Sequence, residues 1–332
     1  MDASSVSAMA NDRENVGKVK VKEIIESGGM WPNFFIVGAV KCGTTWLWAR
    51  LRKHPEVFLP ELKEPHFFLG PQPHFQEGDE VVDQHCAGDL EAYHQLYQGA
   101  QGFRAIGDAS PSYLWDEGAP YRIREVCPQA RIVIILRDPV IRAHSRYLMN
   151  LEIGIETLPF WEALQRDRER ERRFWWTARL YVECGLYYSQ VRRFLELFGK
   201  EQVLVLLFED LIKRPHDLLS RVTDHIGVDA AYLDASDLSD PLNPYRRQRF
   251  GRAYNLTSRL ISRQVRQRLF PPAVSRWLRY NSLLYDTKKP PLDAESRRYL
   301  EEIYDPDIAK LEELMRRKLP ELRKSWGAGV RT

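Results

Sequence analysis

Apolar residues occur in short runs spaced widely along the first two thirds of the chain. The two longest central runs, IVIIL and VLVLLF, contain no alternating polar residue. This pattern is typical of parallel strands that are covered on both faces of a sheet. Together with two further apolar runs, it predicts four strands, at Phe34–Val40, Arg104–Gly107, Arg131–Leu136 and Gln202–Phe208.

Stretches with helical periodicity lie between these predicted strands. They span Thr45–Lys53, Asp116–Cys127, Pro139–Leu151 and Tyr187–Gly199. Strands that alternate with helices indicate an α/β fold. We therefore predict a doubly wound parallel sheet flanked by helices. In such a sheet, ligands bind beyond the carboxyl ends of the strands.

The C-terminal part of the chain has a helical pattern without strands. Asp293 is suited to cap a helix that follows it, and Pro306 is suited to the first position of a second helix that restarts there. An apolar stripe then predicts a core-facing helix surface. Its members are Ile308, Leu311, Leu314 and Met315.

Length and composition predict one large domain at 31–332 behind a polar, flexible tail at 1–30. The four cysteines show neither metal-type spacing nor a dense disulfide framework, which fits a reducing compartment. The tail lacks the apolar stretch of a secretory signal. The run FFIVGAV falls far short of the roughly 18 residues that a membrane span needs. We expect a cytoplasmic protein without a membrane span.

Positive charge is concentrated in one segment. Residues 241–285 contain ten arginines and no Asp, Glu or Lys, although the whole chain carries a net charge of only +3. Such a block is either a solvated face or an anion-binding face. The pairs Pro271-Pro272 and Pro290-Pro291 divide the segment 241–292 into lid-like pieces.

The stretch FFIVGAVKCGTTWL has the outline of a phosphate loop, and the predicted fold is therefore P-loop-like. Gly38 and Gly43 have the spacing of a nucleotide triphosphatase loop, but Thr44 stands where that loop has its lysine. The lysine is Lys41, inside the turn. Backbone amides and the hydroxyls of Thr44 and Thr45 at a helix N-terminus predict an anion-binding nest.

The stretch LRDPVIRAHSRYLMN predicts a second anion contact. Arg137 follows a strand and can bind a phosphate with its planar guanidinium, and Asp138 can cap the next helix. Ser145 lies about two turns further on, flanked by Arg142 and Arg146. At the end of this strand, a nucleotide triphosphatase would have a carboxylate that binds Mg²⁺. This chain has Arg137 there instead, which argues against a Mg²⁺ site.

A third stretch, LKEPHFFL, contains Glu64 and His66 two positions apart. In an extended segment their side chains would project to the same side. A carboxylate beside an imidazole suits proton abstraction from a hydroxyl. An aromatic cluster further along the chain is either core or a wall of an acceptor site. Its members include Trp175, Trp176, Tyr187 and Tyr188.

These three stretches, in this order, resemble the sulfotransferases that use 3′-phosphoadenosine 5′-phosphosulfate (PAPS). VGAVKCGTTWL looks like the 5′-phosphosulfate loop of that family, and IILRDPVIRAHSRY looks like its 3′-phosphate motif. KEPHFF and GDASPSYLW are similar to segments of the heparan-type and bacterial branch. The resemblance runs from about residue 31 to residue 320.

The resemblance implies a role for each of these stretches. Lys41 would neutralise charge on the leaving oxygen, Glu64 would be the base on the acceptor hydroxyl, and His66 would assist it. Arg137 and Ser145 would bind the 3′-phosphate, and no metal would be required. The residues of the loop that would bind PAPS are Lys41, Cys42, Gly43, Thr44, Thr45 and Trp46.

Two departures from the heparan-type pattern affect the expected acceptor. Ala109 stands where those enzymes have a lysine, which favours a small-molecule or lipid-like hydroxyl over a polysaccharide. No glycine- and lysine-rich segment that would close over the cofactor is found, and Arg247 and Arg249 are the predicted replacements. A carbohydrate acceptor, which the basic segment would suit, is the alternative.

Three other functions fit parts of the sequence. A nucleotide kinase or phosphatase with an altered loop would require Mg²⁺. A binder of nucleic acid or anionic membranes would rely on the ten arginines and would not need Lys41, Glu64 or Ser145. A protein that binds PAPS without turnover would keep the fold but lack activity. The predicted partners are PAPS and a hydroxyl-bearing acceptor, not nucleic acid.

Overall fold

The computed structural model describes residues 30–69, 90–152, 156–167, 180–232, 247–248, 285–286 and 289–326. These residues belong to two compact units. The first comprises Met1–Arg137 and Tyr187–Ser239, and the second comprises Asp138–Leu186 and Asp240–Thr332. The predicted single domain remains a prediction. Nearly all of the predicted tail and of the basic segment lies outside the described residues.

The elements are numbered in chain order. The strands are β1 (Phe34–Gly38), β2 (Val57–Phe58), β3 (Ala105–Asp108), β4 (Arg131–Leu136), β5 (Val203–Leu207), β6 (Arg247–Gln248) and β7 (Tyr285–Asp286). The α-helices are α1 (Thr44–Leu51), α2 (Leu90–Gln95), α3 (Ala119–Val126), α4 (Pro139–Glu152), α5 (Phe160–Asp167), α6 (Tyr187–Phe198), α7 (Phe208–Lys213), α8 (Pro215–Ile226) and α9 (Ala294–Met315).

The first unit is built on a five-stranded sheet in the order β2-β3-β1-β4-β5, and every pairing in it is parallel. All residues of β1, and all of β4 except Arg131, are buried, as their unbroken apolar runs require. Helices α3 and α6 pack together, and α6 and α8 lie against β5. The predicted α/β class with a parallel sheet is confirmed.

Close packing between neighbouring strands depends on one glycine. Phe34 on β1 is in register with Gly107 on β3. A Cβ atom at Gly107 would lie 2.2 Å from Cζ of the Phe34 ring, so a larger residue would displace this buried side chain. The ring therefore occupies space that only a glycine on the neighbouring strand leaves open.

The second unit is helical where it is described, apart from the two residues each of β6 and β7. Helix α9 packs against α4 and α5. Asp293 caps α9 as predicted, because its side chain accepts a hydrogen bond from the Ser296 N–H at 2.7 Å. The prediction of a helix restart at Pro306 is wrong, since α9 continues through this residue. Buried Tyr304 and Ile308, on either side of the proline, anchor the continuous helix.

No helix in the described ranges is long and apolar enough to cross a bilayer.

Candidate active site

The phosphate-type loop joins β1 to α1 and depends on two glycines. A Cβ atom at Gly38 would lie 2.5 Å from the Leu114 Cβ. Gly43 has a φ of +88°, and a Cβ atom there would lie 2.8 Å from Leu211 Cδ1. Lys41 also adopts a left-handed conformation, with a φ of 68°. The loop therefore turns tightly enough that its glycines cannot be replaced without strain.

Helix α1 begins directly after this loop, and its N-terminus faces no acidic side chain of its own first turn. The first amides of a helix lack intrahelical partners and carry partial positive charge. The Cys42 amide is already used, because it donates to the Ala39 carbonyl at 3.2 Å. The predicted anion-binding nest would therefore rely on the amides that follow Cys42. Thr44 is buried and Thr45 is exposed.

Arg137, the first residue after β4, is fixed against the loop. Its Nη1 donates to the Lys41 carbonyl at 3.3 Å, and its guanidinium lies 4.2 Å from the centre of the Phe208 ring. The Arg137 carbonyl accepts a hydrogen bond from Tyr187 Oη at 2.9 Å. The structure thus places the Arg137 guanidinium at the backbone of Lys41, as expected for residues at the carboxyl ends of adjacent parallel strands.

Tyr187 supports the loop and has no exposed surface. Its hydroxyl lies 3.9 Å from the Cys42 Sγ in addition to its bond to Arg137. This complete burial argues against the predicted acceptor wall at Tyr187. Tyr188 is half-buried, and its ring lies 5.4 Å from the Arg192 guanidinium. Trp175 and Trp176 lie outside the described residues.

Glu64 and His66 come together, although not through the extended backbone that the sequence suggested. Both residues have left-handed conformations, with φ values of 64° and 58°. Glu64 Oε2 lies 3.4 Å from His66 Nε2, and Glu64 Oε1 lies 2.5 Å from Lys63 Nζ. The expected extended segment is therefore wrong, but the turn brings the predicted pair into contact.

The charge on Glu64 is stabilised by its two neighbours. Its side chain is 36% exposed, and that of His66 is 8% exposed. Burial alone would raise the pKa of Glu64, but the Lys63 ammonium and the His66 imidazole hold it well below its ordinary value. The carboxylate is therefore ionised at neutral pH, but the same two neighbours also lower its basicity.

In the second unit, Asp138 caps α4 as predicted. Its Oδ1 accepts from the Val140 N–H at 3.0 Å, and its Oδ2 accepts from the Ser325 N–H at 2.9 Å. Arg142 is completely buried and donates to the Tyr181 carbonyl. Arg142 is thus part of the interior of this unit. Ser145 is partly exposed on α4, and its role remains a prediction.

A family model described as Sulfotransferase family matches residues 32–232 of this chain. The chain belongs to the sulfotransferase family. The matched range contains the loop, the Glu64 turn, Arg137, Ser145 and Tyr187. Arg247 and Arg249 lie beyond it. Of these two arginines, the structure describes only the backbone of Arg247, which lies in β6.

Several relatives share this membership. The crystal structure of a sulfotransferase from Alicyclobacillus acidocaldarius is 33% identical, covers 89% of this chain and 99% of that one, and superimposes with a TM-score of 0.68. Mouse carbohydrate sulfotransferase 15 is 31% identical where the two align, and the match covers 54% of this chain and 40% of that protein. Mouse heparan sulfate glucosamine 3-O-sulfotransferase 3A1 is 29% identical over 209 residues, and the match covers 63% of this chain and 49% of that protein.

The chain thus spans half or less of the length of these two mouse relatives.

Two residues of this sulfotransferase-family site were not singled out from the sequence. Lys63 directly precedes Glu64, and its position in the KEPHFF stretch was an available signal. Phe208 directly follows β5, so its place at the carboxyl edge of the sheet could have indicated it. Within the described ranges, no group of three or more His, Cys, Asp or Glu residues is arranged to hold a metal ion.

Proposed function

We propose that this chain transfers a sulfuryl group from PAPS to a hydroxyl group. The observation that carries the proposal is the position of Arg137, held between the Lys41 carbonyl and the Phe208 ring at the N-terminal side of α1. Two cationic residues and a helix whose first turn carries no acidic residue fit a ligand that bears several anionic groups. Membership of the sulfotransferase family supports PAPS as that ligand.

The loop would hold the 5′ end of the donor. PAPS supplies a sulfuryl group attached to a phosphate, which is the leaving group. The amides that open α1 and the hydroxyls of Thr44 and Thr45 would bind this phosphate, and the Lys41 ammonium would stabilise the charge that develops on its oxygen. Such preorganised electrostatic contacts are usually the largest contribution to catalysis of group transfer. Trp46 is the remaining predicted contact of this loop.

Arg137 would bind the 3′-phosphate of the donor. Its packing on Phe208 and its bond to the Lys41 carbonyl hold the guanidinium in place before the ligand arrives. A preorganised contact costs less conformational entropy when binding occurs. The assignment of Ser145 to the same phosphate, and of Arg247 and Arg249 to closure over the cofactor, rests on the resemblance alone.

Glu64 would accept the proton of the acceptor hydroxyl. As the acceptor oxygen forms its bond to sulfur, the bond from sulfur to the phosphate oxygen breaks and its electron pair goes to that oxygen. The proton passes to Glu64 Oε2 or Oε1. Lys63 and His66 keep this carboxylate ionised beforehand. The proposed transfer would need no metal, because the Lys41 ammonium would compensate the charge that develops on the leaving oxygen.

The acceptor class has two candidates. The buried Ala109, where heparan-type enzymes have lysine, favours a small-molecule or lipid-like hydroxyl. The names of the mouse relatives, carbohydrate sulfotransferase 15 and a heparan sulfate 3-O-sulfotransferase, favour a carbohydrate. A cytoplasmic location, which would suit the first candidate, is likewise a proposal and is tested by fractionation of cells that express the tagged chain.

A transfer assay tests the proposed function. The chain is incubated with PAPS in EDTA and, in separate arms, with a simple phenol, a long-chain alcohol, heparan sulfate and chondroitin. Release of adenosine 3′,5′-bisphosphate is measured by ion-exchange chromatography, and the sulfated product by mass spectrometry. We expect acceptor-dependent release in at least one arm. Phosphoryl transfer from Mg²⁺-ATP in a parallel arm, with none from PAPS, would instead support the nucleotide kinase.

A further inference from the structure

A buried carboxylate is linked to the turn that carries Glu64 and His66. Asp108, the last residue of β3, is completely buried and accepts three hydrogen bonds from hydroxyl groups. Ser110 Oγ donates to Oδ1 at 2.7 Å, while Tyr93 Oη and Tyr113 Oη donate to Oδ2 at 2.8 and 3.0 Å. Burial raises the pKa of Asp108, and the three hydroxyl donors act in the opposite direction.

Two of these hydroxyls also hold the backbone of the turn. Ser110 Oγ accepts the His66 N–H at 3.1 Å, and Tyr113 Oη accepts the Phe68 N–H at 3.2 Å. A hydroxyl has a single proton to donate. Because both protons go to Asp108, the lone pairs of Ser110 and Tyr113 are directed at the amides. Asp108 thereby sets the direction of both contacts.

The tyrosines around Asp108 contact the same segment with their rings. Phe67 stacks on Tyr93, with ring centroids 4.3 Å apart and an interplanar angle of 12°. Phe68 meets Tyr113 edge to face at 5.9 Å. The segment that follows His66 is therefore held both by hydrogen bonds and by aromatic packing against residues that Asp108 orients.

The turn needs such support because its backbone is strained. Glu64 and His66 are not glycines, yet both have φ values in the left-handed region, 64° and 58°. Residues remain in this region only where the surrounding structure over-determines their conformation. The contacts from Ser110 and Tyr113 fix the backbone at and just after the second strained residue.

We infer that Asp108 is a positioning residue for the proposed transfer. Through Ser110 and Tyr113 it fixes the backbone at His66 and Phe68, and so sets the direction in which Glu64 and His66 meet the acceptor hydroxyl. This inference rests on the proposed function, because that function gives the Glu64–His66 pair its task. Asp108 itself would touch neither the donor nor the acceptor.

Two variants break this link at chosen points, a third restores it, and a fourth serves as a matched control. Asp108→Asn keeps the shape of the side chain but replaces an acceptor oxygen by a donor, so at least one hydroxyl must reorient. Ser110→Ala removes the acceptor of the His66 amide, and Ser110→Thr restores a hydroxyl. Tyr97→Phe is the control, since it also removes a buried hydroxyl, one that bonds to Tyr93 Oη at 3.3 Å and to the Gly107 carbonyl at 3.4 Å.

Two measurements are made on each full-length variant. Hydrogen–deuterium exchange, resolved to single amides, reports the protection of His66 and Phe68 without any ligand. Steady-state kinetics with varied PAPS, at a saturating concentration of the acceptor that turns over in the panel above, report kcat and the KM for PAPS. A positioning role predicts a fall in kcat with an unchanged KM for PAPS.

We expect Asp108→Asn and Ser110→Ala to speed exchange at the His66 amide about tenfold or more. Their kcat should fall about 10- to 100-fold, as for a misplaced catalytic group, while the KM for PAPS stays within about twofold. Ser110→Thr should restore most of kcat. Tyr97→Phe should keep wild-type exchange at His66 and wild-type kcat.

The inference is overturned if Asp108→Asn and Ser110→Ala leave exchange at His66 and kcat unchanged. It is also overturned if Tyr97→Phe loses kcat to the same extent, because the effect would then reflect general destabilisation. If Asp108→Asn does not fold, the Ser110→Ala and Ser110→Thr pair decides. If the wild-type chain transfers no sulfuryl group in any arm, the proposed function fails, and the exchange data alone decide whether Asp108 fixes the turn.

Discussion

Lys41 differs from the lysine of a triphosphatase loop in its sequence position. It lies inside the turn with a left-handed φ of 68°, and its carbonyl accepts a hydrogen bond from the Arg137 guanidinium. The backbone of Lys41 is thereby tied to the second cation of the site. We propose that its ammonium stabilises the charge that develops on the leaving oxygen during transfer.

Replacement of Lys41 by methionine tests this assignment. Loss of one electrostatic donor to a developing charge lowers turnover by about 10²- to 10³-fold, and we expect a loss of this size for Lys41→Met. Turnover with PAPS is the measurement. Lys200→Met, at an exposed turn, is the matched control and should remain near wild type. Equal turnover in the two variants would contradict the role of Lys41.

Glu64→Gln tests the proposed base separately from cofactor binding. The amide cannot accept the hydroxyl proton, so kcat should fall about 10²-fold or more. The affinity for adenosine 3′,5′-bisphosphate, measured by calorimetry, should be unchanged. Glu61→Gln is the control, because the Glu61 side chain is 93% exposed and pairs with Arg52 only at 3.7 Å. A Glu64→Gln variant with wild-type kcat would rule out the base.

The pH dependence tests the role of Lys63. Because the pKa of Glu64 is held below its ordinary value in the folded chain, the base stays ionised as the pH falls through the ordinary glutamate range. The ion pair of Glu64 and Lys63 also stabilises the folded chain above that pH range. This contribution to the free energy of unfolding is lost as the pH falls through the lowered pKa of Glu64. Lys63→Met should shift the acid limb of the kcat/KM profile to higher pH. An identical acid limb in both proteins would contradict the assignment.

Single elements show where the sequence sufficed and where it did not. The bounds of β4 were predicted to the residue, because a long buried apolar run has a strong signal. Strand β1 ends at Gly38 rather than Val40, since the chain turns there into the loop. Strand β2 has only two residues and no pattern that could predict it. Helix α9 continues through Pro306 because tertiary packing overrides local preference.

The contact between Glu64 and His66 was predicted from the sequence, but the backbone that produces it was not. Spacing placed Glu64 and His66 on the same side of an extended segment, but the left-handed backbone at both residues depends on contacts with distant positions. Ser110, which accepts the His66 amide, is 44 residues away in the chain. Local sequence carries no signal for such a contact.

Two glycines in the same unit allow a matched test of the loop. Gly43 and Gly199 have left-handed φ values of +88° and +77°, but only Gly43 has a neighbour within 4 Å of a Cβ atom. Gly199→Ala should cost about 1–2 kcal/mol of unfolding free energy through backbone strain alone. Gly43→Ala should cost more and should weaken the binding of adenosine 3′,5′-bisphosphate. If Gly43→Ala and Gly199→Ala have equal free energies of unfolding, and Gly43→Ala binds adenosine 3′,5′-bisphosphate as the wild type does, the proposed role of the loop is wrong.

At the scale of the whole molecule, the alternation of apolar runs and helical stretches predicted the class of fold, but the sequence did not identify the acceptor. The ten arginines of residues 241–285 belong to a segment of which the structure describes only residues 247–248 and 285. The chain also spans half or less of its two mouse relatives. The proposed donor contacts of the loop and of Arg137, in contrast, lie in the first unit and within the described ranges. The central claim is therefore a metal-free site for a 3′-phosphorylated adenosine nucleotide.

Calorimetric titration with adenosine 3′,5′-bisphosphate in EDTA tests this claim most directly. Adenosine 5′-monophosphate is the control ligand, and Arg137→Ala is the control variant. We expect tight, metal-free binding of adenosine 3′,5′-bisphosphate that requires its 3′-phosphate. Arg137→Ala should weaken this binding by about tenfold or more, because a charge-assisted contact is lost. Equal and weak binding of both nucleotides, or an Arg137→Ala variant that binds as well as the wild type, would contradict it.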